Sequence, residues 1–374
     1  MSRLVLLGLG HAHVQVLHGL AQSRPAGVDI TVIAPQPYRL YSGMVPGFVA
    51  GHYTLDACVM NLQGLLARSG ARYVASSAVA MDADAGAVTL ANGDTLAYDW
   101  LSLNTGPVMD REKLEARIPG ARAHGLFVRP IEAFGPLWSR LAERAGRQPL
   151  QLAVVGGGVA GLELAMAAAH ALAAPVSRPG GRVTLVTGGT APPAHQGAGV
   201  QRRVAAALRR LRVDVVPDTC VGMGAGQILL ASGRQLACDA PLLAVGTQAP
   251  PWLAGSGLAL DAAGFVAVNR CLQSTSHPGV FAAGDVASRV DAPARQARSG
   301  VYAVRAGPPL LANLRAALQA RALKPYQPQQ RTLSLISCGH RHAIASWGGL
   351  SWEGAWVWRW KDRIDRRFVA TYGA

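Results

Sequence analysis

The chain has 374 residues, half of them hydrophobic, and at roughly 100–200 residues per domain this length predicts two or three domains with full cores. The formal net charge is +15, but the 33 arginines and 3 lysines are scattered. No helix-turn-helix, zinc-finger or RNA-recognition signature accompanies them, so nucleic-acid binding is not expected. No hydrophobic run reaches the ~18 residues of a membrane span, and a strand begins by Leu4, which leaves no room for a signal peptide. We therefore expect a cytoplasmic protein.

The chain opens with a short hydrophobic strand, a glycine-rich turn and a hydrophobic helix. Gly8 and Gly10 take the first two positions of a G-x-G-x-x-G pattern, but His13 stands at the third. A second strand at residues 30–33 follows about twenty residues later, as in a βαβ dinucleotide-binding unit. Ala34 stands where the ribose-binding acid is expected. The bulk of His13 predicts either a helix slightly displaced from the strand or an imidazole that points toward the ligand. Taken alone, this pattern leaves a nucleotide site and a plain strand–turn–helix equally open.

A second unit starts at residue 152 and keeps the full glycine pattern. Gly156 allows the tight turn, Gly158 lets the backbone approach a diphosphate, and Gly161 lets helix and strand pack closely. The new helix presents its positive N-terminus to the phosphates. A hydrophobic strand before the glycines and an Ala/Leu-rich helix after them make this motif specific.

The two units share a larger plan, repeated at a spacing of about 145 residues. Each continues to an aspartate, a buried strand and a glycine, which gives Thr105-Gly106 after the first unit and Val245-Gly246 after the second. A further short strand ends in Gly284-Asp285, and the sequence predicts a helix that starts at residues 296–299 and continues through Gly300 and Val301. We expect an α/β fold with two Rossmann-like units.

The C-terminal region combines tryptophans with basic residues. Trp352, Trp356 and Trp360 recur every four residues and form one stripe if the segment is helical. We favour a lid that packs on the first unit, with contact to a membrane interface as the alternative. The arginines of a basic helix near residues 200–212 are expected on a solvated face.

The five cysteines lie far apart, with no C-x-x-C or C-x-x-x-x-C pair, and therefore predict free thiols and neither a disulfide framework nor a metal site. Cys338 lies in a strand of the C-terminal region. We expect it to be structural, with thiol chemistry near a cofactor as the alternative.

The whole plan resembles the two-dinucleotide-binding-domain flavoproteins of the pyridine nucleotide-disulfide oxidoreductase superfamily. Residues 8–13 (Gly-Leu-Gly-His-Ala-His), 41–47 (Tyr-Ser-Gly-Met-Val-Pro-Gly) and 360–368 (Trp-Lys-Asp-Arg-Ile-Asp-Arg-Arg-Phe) resemble the branch related to type II NADH dehydrogenases. More narrowly, they resemble the flavoprotein module fused to, or beside, selenophosphate synthetase. The resemblance implies an NAD(P)-binding domain at 116–247 inserted in a discontinuous FAD-binding domain at 1–115 and 248–325, with a small α+β cap at 326–374.

The resemblance also implies which residues bind the cofactors. Those expected around FAD are Gly8, Gly10, His11, Ala12, His13, Ser42, Gly43, Met44, Pro46, Thr105, Gly106, Gly284, Asp285, Gly300 and Val301. Those expected to bind NAD(P)H are Gly156, Gly158, Gly161 and Glu163.

The sequence departs from the superfamily pattern at two places. No C-x-x-x-x-C pair is present, so a dithiol relay is not available. The acid that selects NADH over NADPH is replaced by Thr187-Gly188-Gly189, and the branch alone favours NADH.

The resemblance implies an FAD-dependent NAD(P)H oxidoreductase that passes electrons to a small-molecule acceptor. We expect a quinone first and a sulfur or selenium species second. An alternative is a protein that delivers electrons to selenophosphate synthetase. The catalytic residues are not assigned. We expect a cytoplasmic location, with peripheral contact with the inner face of the cell membrane as the alternative.

Overall fold

The computed structural model describes residues 1–173, 181–189, 192–193, 196–291, 300–329 and 331–373. Residues 296–299, where the sequence predicts the start of a helix, lie outside these ranges. Within the described ranges, no helix is both long enough and hydrophobic enough to cross a bilayer.

The first hundred residues form most of one parallel sheet, its helices and a small antiparallel sheet. In chain order the elements are β1 (Ser2–Leu7), α1 (His11–Gln22), β2 (Val28–Ala34), β3 (Tyr38–Leu40), α2 (Val45–Val49), β4 (Val59–Asn61), α3 (Gln63–Ser69), β5 (Arg72–Ala75), β6 (Ala78–Asp82), β7 (Ala87–Leu90), β8 (Thr95–Ala97) and β9 (Trp100–Leu103).

The middle of the chain repeats this arrangement. Its elements are α4 (Arg111–Arg117), α5 (Ala121–His124), β10 (Leu126–Phe127), α6 (Ile131–Ala145), β11 (Gln151–Val155), α7 (Val159–Leu172), β12 (Arg182–Val186), α8 (Ala198–Arg210), β13 (Asp214–Val216), β14 (Cys220–Gly224), β15 (Gln227–Leu230), β16 (Gln235–Ala237) and β17 (Ala240–Leu243).

The last part returns to the first sheet and then builds a separate C-terminal layer. Its elements are β18 (Val266–Val268), β19 (Val280–Ala282), β20 (Ala287–Arg289), α9 (Gly300–Arg305), α10 (Gly307–Leu318), β21 (Ser334–Ser337), β22 (Ala343–Trp347), β23 (Leu350–Gly354) and α11 (Ala355–Tyr372).

Two five-stranded parallel sheets organise the molecule. Their strand orders are β19-β9-β1-β2-β5 and β10-β17-β11-β12-β13. The central strands are continuous hydrophobic runs because helices cover both faces of a parallel sheet, and residues 4–7 of β1 are at most 2 % exposed. The edge strand of the first sheet, β19, comes from the part of the chain that follows the strands of the second sheet. The predicted α/β fold with two Rossmann-like units is confirmed.

The C-terminal layer consists of the antiparallel sheet β21-β22-β23 and the long helix α11. Arg203 of α8 bonds to Glu353 at 2.8 Å and to the carbonyl of Ser351 at 3.2 Å. The expectation that the arginines of α8 only face solvent is therefore wrong for Arg203, because a partner 150 positions away lies over the helix.

Candidate functional site

A side chain at the end of β9 holds the N-terminus of α1. Oδ1 of Asn104 accepts hydrogen bonds from the backbone N–H groups of Ala12 and His13, each at 3.1 Å. Its Nδ2 donates to the carbonyl of Ala283 at 2.6 Å. A Cβ added to Gly10 would collide with the same amide, so this packing requires glycine there. Two donors that a helix N-terminus usually offers to a phosphate are thus used within the protein.

The side chain of His13 points into the first sheet. Its Nδ1 lies 2.6 Å from the carbonyl oxygen of Gly8, and its Nε2 lies 2.8 Å from Oγ of Ser102. A carbonyl only accepts, so Nδ1 donates and Nε2 accepts from the Ser102 hydroxyl. Burial lowers the pKa of His13 to about 4, which keeps the ring neutral. The interpretation that this imidazole points toward a ligand is wrong, because both of its nitrogens have protein partners.

A cavity of about 680 Å³ opens beside the first glycine turn, a size typical of cofactor sites. The ends of β2 and β5, the segment after β9 and the start of α6 contribute to its wall. Of the residues predicted to contact FAD, those that line it are Gly8, Gly10, His11, Ser42, Thr105, Gly106, Asp285 and Gly300.

Other residues predicted for FAD lie behind or beside this wall. Met44 is 1 % exposed, and Val301 is 36 % exposed on α9. Gly284 has a φ of +72° and packs against Asn104. Their contact with FAD stays a prediction, and besides His13 the residues in this group are Ala12, Gly43, Met44, Pro46, Gly284 and Val301.

The second glycine turn lacks the polar side chains that fill the first. Gly156 has a φ of +134°, and a Cβ on Gly161 would collide with its carbonyl. Ala244 follows β17 as Asn104 follows β9, but its methyl group takes no hydrogen bond. A Cβ on Gly158 would meet nothing within 4 Å. In the described ranges no side chain accepts from the first turn of α7, so its N–H groups are available to a phosphate.

The end of β12 has no carboxylate for a ribose. Thr187 is 6 % exposed, and its Oγ1 has no hydrogen-bond partner among the described residues. Gly188 and Gly189 follow with φ values of +76° and +86° and open space around them. The choice between NADH and NADPH therefore stays open.

Glu163 lies one turn into α7 and contacts the C-terminal layer. Its Oε1 accepts the backbone N–H of Ser337 at 2.8 Å. Burial raises the pKa of Glu163 to about 6, against the opposing effects of Lys361 and of the Ser337 N–H. This carboxyl group therefore changes its charge close to neutral pH, and its predicted contact with NAD(P)H stays a prediction.

A buried ion pair on α11 is a feature that the sequence reasoning missed. Lys361 is 9 % exposed and Asp365 is 5 % exposed. Nζ of Lys361 donates to Oδ2 of Asp365 and to the carbonyl of Gly43, both at 2.5 Å. The sequence signal that could have drawn attention to Lys361 is the scarcity of lysine, because the chain has 3 lysines beside 33 arginines.

The same ion pair holds the loop at residues 42–46, which is predicted to line the flavin ring of FAD. Burial and the neighbouring carboxylate of Asp365 raise the pKa of Tyr41, and the Tyr41 ring stacks on Phe368 with centroids 4.8 Å apart. Burial raises the pKa of Asp365, although Lys361 opposes this effect. We call Tyr41, Glu163, Lys361 and Asp365 the polar cluster. It joins both units to the C-terminal layer.

A neighbouring face of α11 is hydrophobic and exposed. Trp356, Trp360 and Ile364 are 49, 42 and 41 % exposed, and arginines 359, 363 and 367 are exposed beside them. Trp352 lies on β23 and not on a helix, so the predicted helical stripe starts only at Trp356. The lid interpretation is wrong for these tryptophans. We define the aromatic surface as Trp347, Leu350, Trp352, Trp356, Trp360 and Ile364.

Cys338 follows β21 and is fully buried. Burial raises the pKa of its thiol to about 12, so the thiolate is strongly disfavoured at neutral pH.

The sequence of residues 2–307 matches the family described as pyridine nucleotide-disulphide oxidoreductase. The chain belongs to this family. It is 29 % identical over 303 residues to an NADH dehydrogenase-like protein of Mycobacterium tuberculosis, covering 77 % of this chain and 73 % of that protein. It is 31 % identical over 305 residues to the ferredoxin–NAD(+) reductase component of the p-cumate 2,3-dioxygenase system of Pseudomonas putida, covering 77 % and 68 %.

A third relative is the demethylphylloquinone reductase NdbB of Synechocystis, with 28 % identity over 303 residues, 78 % of this chain and 72 % of that protein. The fold is similar to that of the sulfide:quinone oxidoreductase of Aquifex aeolicus, with a TM-score of 0.82 and 18 % identity over 100 % of this chain and 91 % of that one. The protein is an oxidoreductase of an FAD-binding, NAD(P)H-dependent family.

The residues around the cavity fit FAD. The first glycine turn, the small residues Ser76–Ala78 after β5 and the loop at Ser42 line the same cavity, whose volume of about 680 Å³ is typical of cofactor sites. Asp285 lines this cavity, and a carboxylate accepts hydrogen bonds from hydroxyl groups such as those of a cofactor's sugar chain.

Proposed function

We propose that this protein oxidises NAD(P)H and passes the electrons through bound FAD to a quinone that it meets at a membrane surface. One observation carries the proposal: α11 has the buried Lys361–Asp365 pair on its inner face and exposed tryptophans on its outer face. The same helix therefore separates the predicted flavin loop from a surface suited to a membrane.

The coenzyme half of the reaction rests on the second unit. The open first turn of α7 offers N–H groups to the diphosphate of NAD(P)H, and the glycine turn lets that backbone approach closely. FAD supplies the chemistry, because a flavin accepts a hydride from nicotinamide and releases electrons to a second acceptor. The protein positions the two cofactors. Mixing the holoenzyme with NADH or NADPH under argon should bleach the flavin absorbance, and a flavin that stays oxidised with both would contradict the proposal.

The acceptor half rests on the polar cluster. Reduction of a quinone to a quinol takes up protons, and Glu163 holds and releases a proton near neutral pH because its pKa is raised to about 6. The ammonium group of Lys361 donates a hydrogen bond to the carbonyl of Gly43, and beside this loop it stabilises negative charge that develops on an acceptor. A ferredoxin takes one electron and no proton, so this cluster favours a quinone.

Replacing Glu163 by Gln separates the possible roles of this residue. We expect quinone reduction to slow about 100-fold near pH 7, with flavin reduction by NADH unchanged. The exposed Glu143 on α6 provides the control variant Glu143→Gln. A raised KM for NAD(P)H with normal quinone reduction would instead support coenzyme binding by Glu163.

The membrane part of the proposal rests on the aromatic surface and its arginines, which suit the interface of an anionic bilayer. The double variant Trp356→Ser, Trp360→Ser should lose co-sedimentation with vesicles that contain anionic lipid. Leu229→Ser removes an exposed hydrophobic side chain on β15 and serves as the control. Equal sedimentation of all three proteins would contradict membrane contact.

The sulfur or selenium alternative, including electron delivery to selenophosphate synthetase, predicts a reactive thiol. The buried Cys338 does not favour it, because its pKa is about 12. Cys338→Ser should keep full NAD(P)H:quinone activity, whereas loss of activity in a folded variant would favour thiol chemistry.

A further inference from the structure

Glu132 lies in the first turn of α6, in the second unit, and bonds to strand β3 of the first unit. Its Oε1 lies 3.2 Å from Nη1 of Arg39 and accepts the backbone N–H of Leu40 at 3.4 Å. The side chain of Glu132 is 9 % exposed, and a buried carboxylate is screened less by salt than a surface one. One carboxylate of the second unit therefore holds two consecutive residues of β3.

Close packing between α6 and β3 supports these polar bonds. A Cβ added to Gly135 on α6 would lie 2.6 Å from Cδ1 of Leu55 and 3.5 Å from Cδ1 of Leu40, so the helix approaches both side chains closely. Ile131, the first residue of α6, packs on the same hydrophobic cluster as Leu40 and Met44. The start of α6 thus contacts β3 and the segment after it through polar and hydrophobic side chains together.

The strand that Glu132 holds leads directly into the flavin loop, residues 42–46. Leu40 is the last residue of β3, and the N–H of Tyr41 bonds to the carbonyl of Cys58 at 2.8 Å. Glu132 and Ser42 both line the cavity that fits FAD. The start of the flavin loop is therefore held from one side by the first unit and from the other side by a carboxylate of the second unit.

We propose that Glu132 is a positioning residue for hydride transfer, because it ties the flavin loop to the unit that binds NAD(P)H. The transfer breaks a C4–H bond of the nicotinamide and forms an N5–H bond on the flavin with the same two electrons, which leaves NAD(P)⁺ and a reduced flavin. Its rate depends steeply on the distance and alignment of these two atoms. Glu132 acts on them through β3 and does not touch the coenzyme. This inference rests on the proposed function and is independent of the electron acceptor.

The test is the rate of flavin reduction in the holoenzyme, measured by stopped flow under argon at increasing coenzyme concentration and expressed per bound flavin. Glu132→Ala should lower the limiting rate about 10- to 100-fold with an unchanged Kd for the coenzyme, the effect expected of a misplacement of about 1 Å. Glu132→Gln keeps an oxygen for the Leu40 N–H but loses the charge beside Arg39, so its rate should be intermediate. Glu143→Gln removes an exposed carboxylate from the same helix and should match the wild type.

Two results would overturn the inference. One is a limiting rate for Glu132→Ala equal to that of Glu143→Gln, even where the melting temperature falls, because Glu132 then only stabilises the fold. The other is a raised Kd at an unchanged limiting rate, which would indicate direct contact with the coenzyme. If Glu132→Ala does not fold, the comparison of Glu132→Gln with Glu143→Gln decides in the same way. A wild-type flavin that neither NADH nor NADPH reduces would contradict the proposed function itself, a result that needs no variant.

Discussion

The two glycine turns follow the same strand–turn–helix path but differ in the side chains packed inside them. At the third glycine position the second unit has Gly161, packed on a backbone carbonyl beside Ala244. The first unit has His13, whose ring bonds to Ser102 while Asn104 caps the helix. Hydrogen bonds within the protein therefore hold the first turn together, whereas no side chain of the described residues caps the helix α7 that follows the second turn. This difference suits a cofactor that stays bound in the first unit and a coenzyme that exchanges in the second.

The largest effect is expected when the histidine of the first turn is introduced at the equivalent position of the second turn. Gly161→His places a side chain against the Gly156 carbonyl, and we expect the free energy of unfolding to fall by more than about 3 kcal/mol. Chemical denaturation measures the loss. Gly158→Ala is the matched control, because its Cβ meets nothing within 4 Å and should change stability by less than about 0.5 kcal/mol. Equal stability of both variants would mean that the close packing at Gly161 is not needed.

Truncating the ring in the first turn should have the next largest effect. His13→Ala removes two buried hydrogen bonds and leaves the Ser102 hydroxyl and the Gly8 carbonyl without these partners, at a cost of about 3 kcal/mol. Adding Ser102→Ala should recover about 1 kcal/mol, because the unpaired hydroxyl is then gone. Strict additivity of the two substitutions in urea unfolding would contradict a direct His13–Ser102 bond.

The nesting of the second sheet within the first was implied by the family resemblance. The two glycine turns and the alternation of strands and helices were predictable, because strands, turns and helix starts leave local signals in the sequence. The side-chain hydrogen bonds inside the turns were not predictable. His13 bonds to Ser102 across 89 positions, and Asn104 reaches back 92 positions to α1. Lys361 bonds to Gly43 across 318 positions. No local pattern encodes such partners, so the sequence located the glycine turn but not the direction of the imidazole or the polar cluster.

The buried ionisable groups of the two units should respond to pH in opposite directions. The pKa of His13 is lowered to about 4, so the stability it contributes is full above the unfolded value of 6.5 and is lost as the pH falls toward 4. The pKa of Glu163 is raised to about 6, so its contribution is present below 4.5 and is lost as the pH rises through 6. Between pH 7.5 and 5 the two changes amount to about 2 and about 1 kcal/mol.

Urea unfolding at several pH values distinguishes these contributions. Relative to the wild type, His13→Gln should lose less stability on acidification, and Glu163→Gln should gain most at the upper end of the range. Parallel pH curves for the wild type and both variants would contradict the opposite signs.

The smallest expected effect concerns the ends of the second strands, where both units lack the ribose-binding acid and have Ala34 or Thr187 instead. Thr187→Val keeps the shape and removes a buried hydroxyl that has no partner in the described part of the chain, so the protein should become more stable by less than about 1 kcal/mol. The KM for NAD(P)H then decides its role. An unchanged KM means that the buried hydroxyl lowers the stability of the fold and does not bind the coenzyme. A KM raised several-fold means that the ribose hydroxyls of the coenzyme recruit it, and the second strand of the coenzyme unit would then differ from that of the flavin unit in function as well as in sequence.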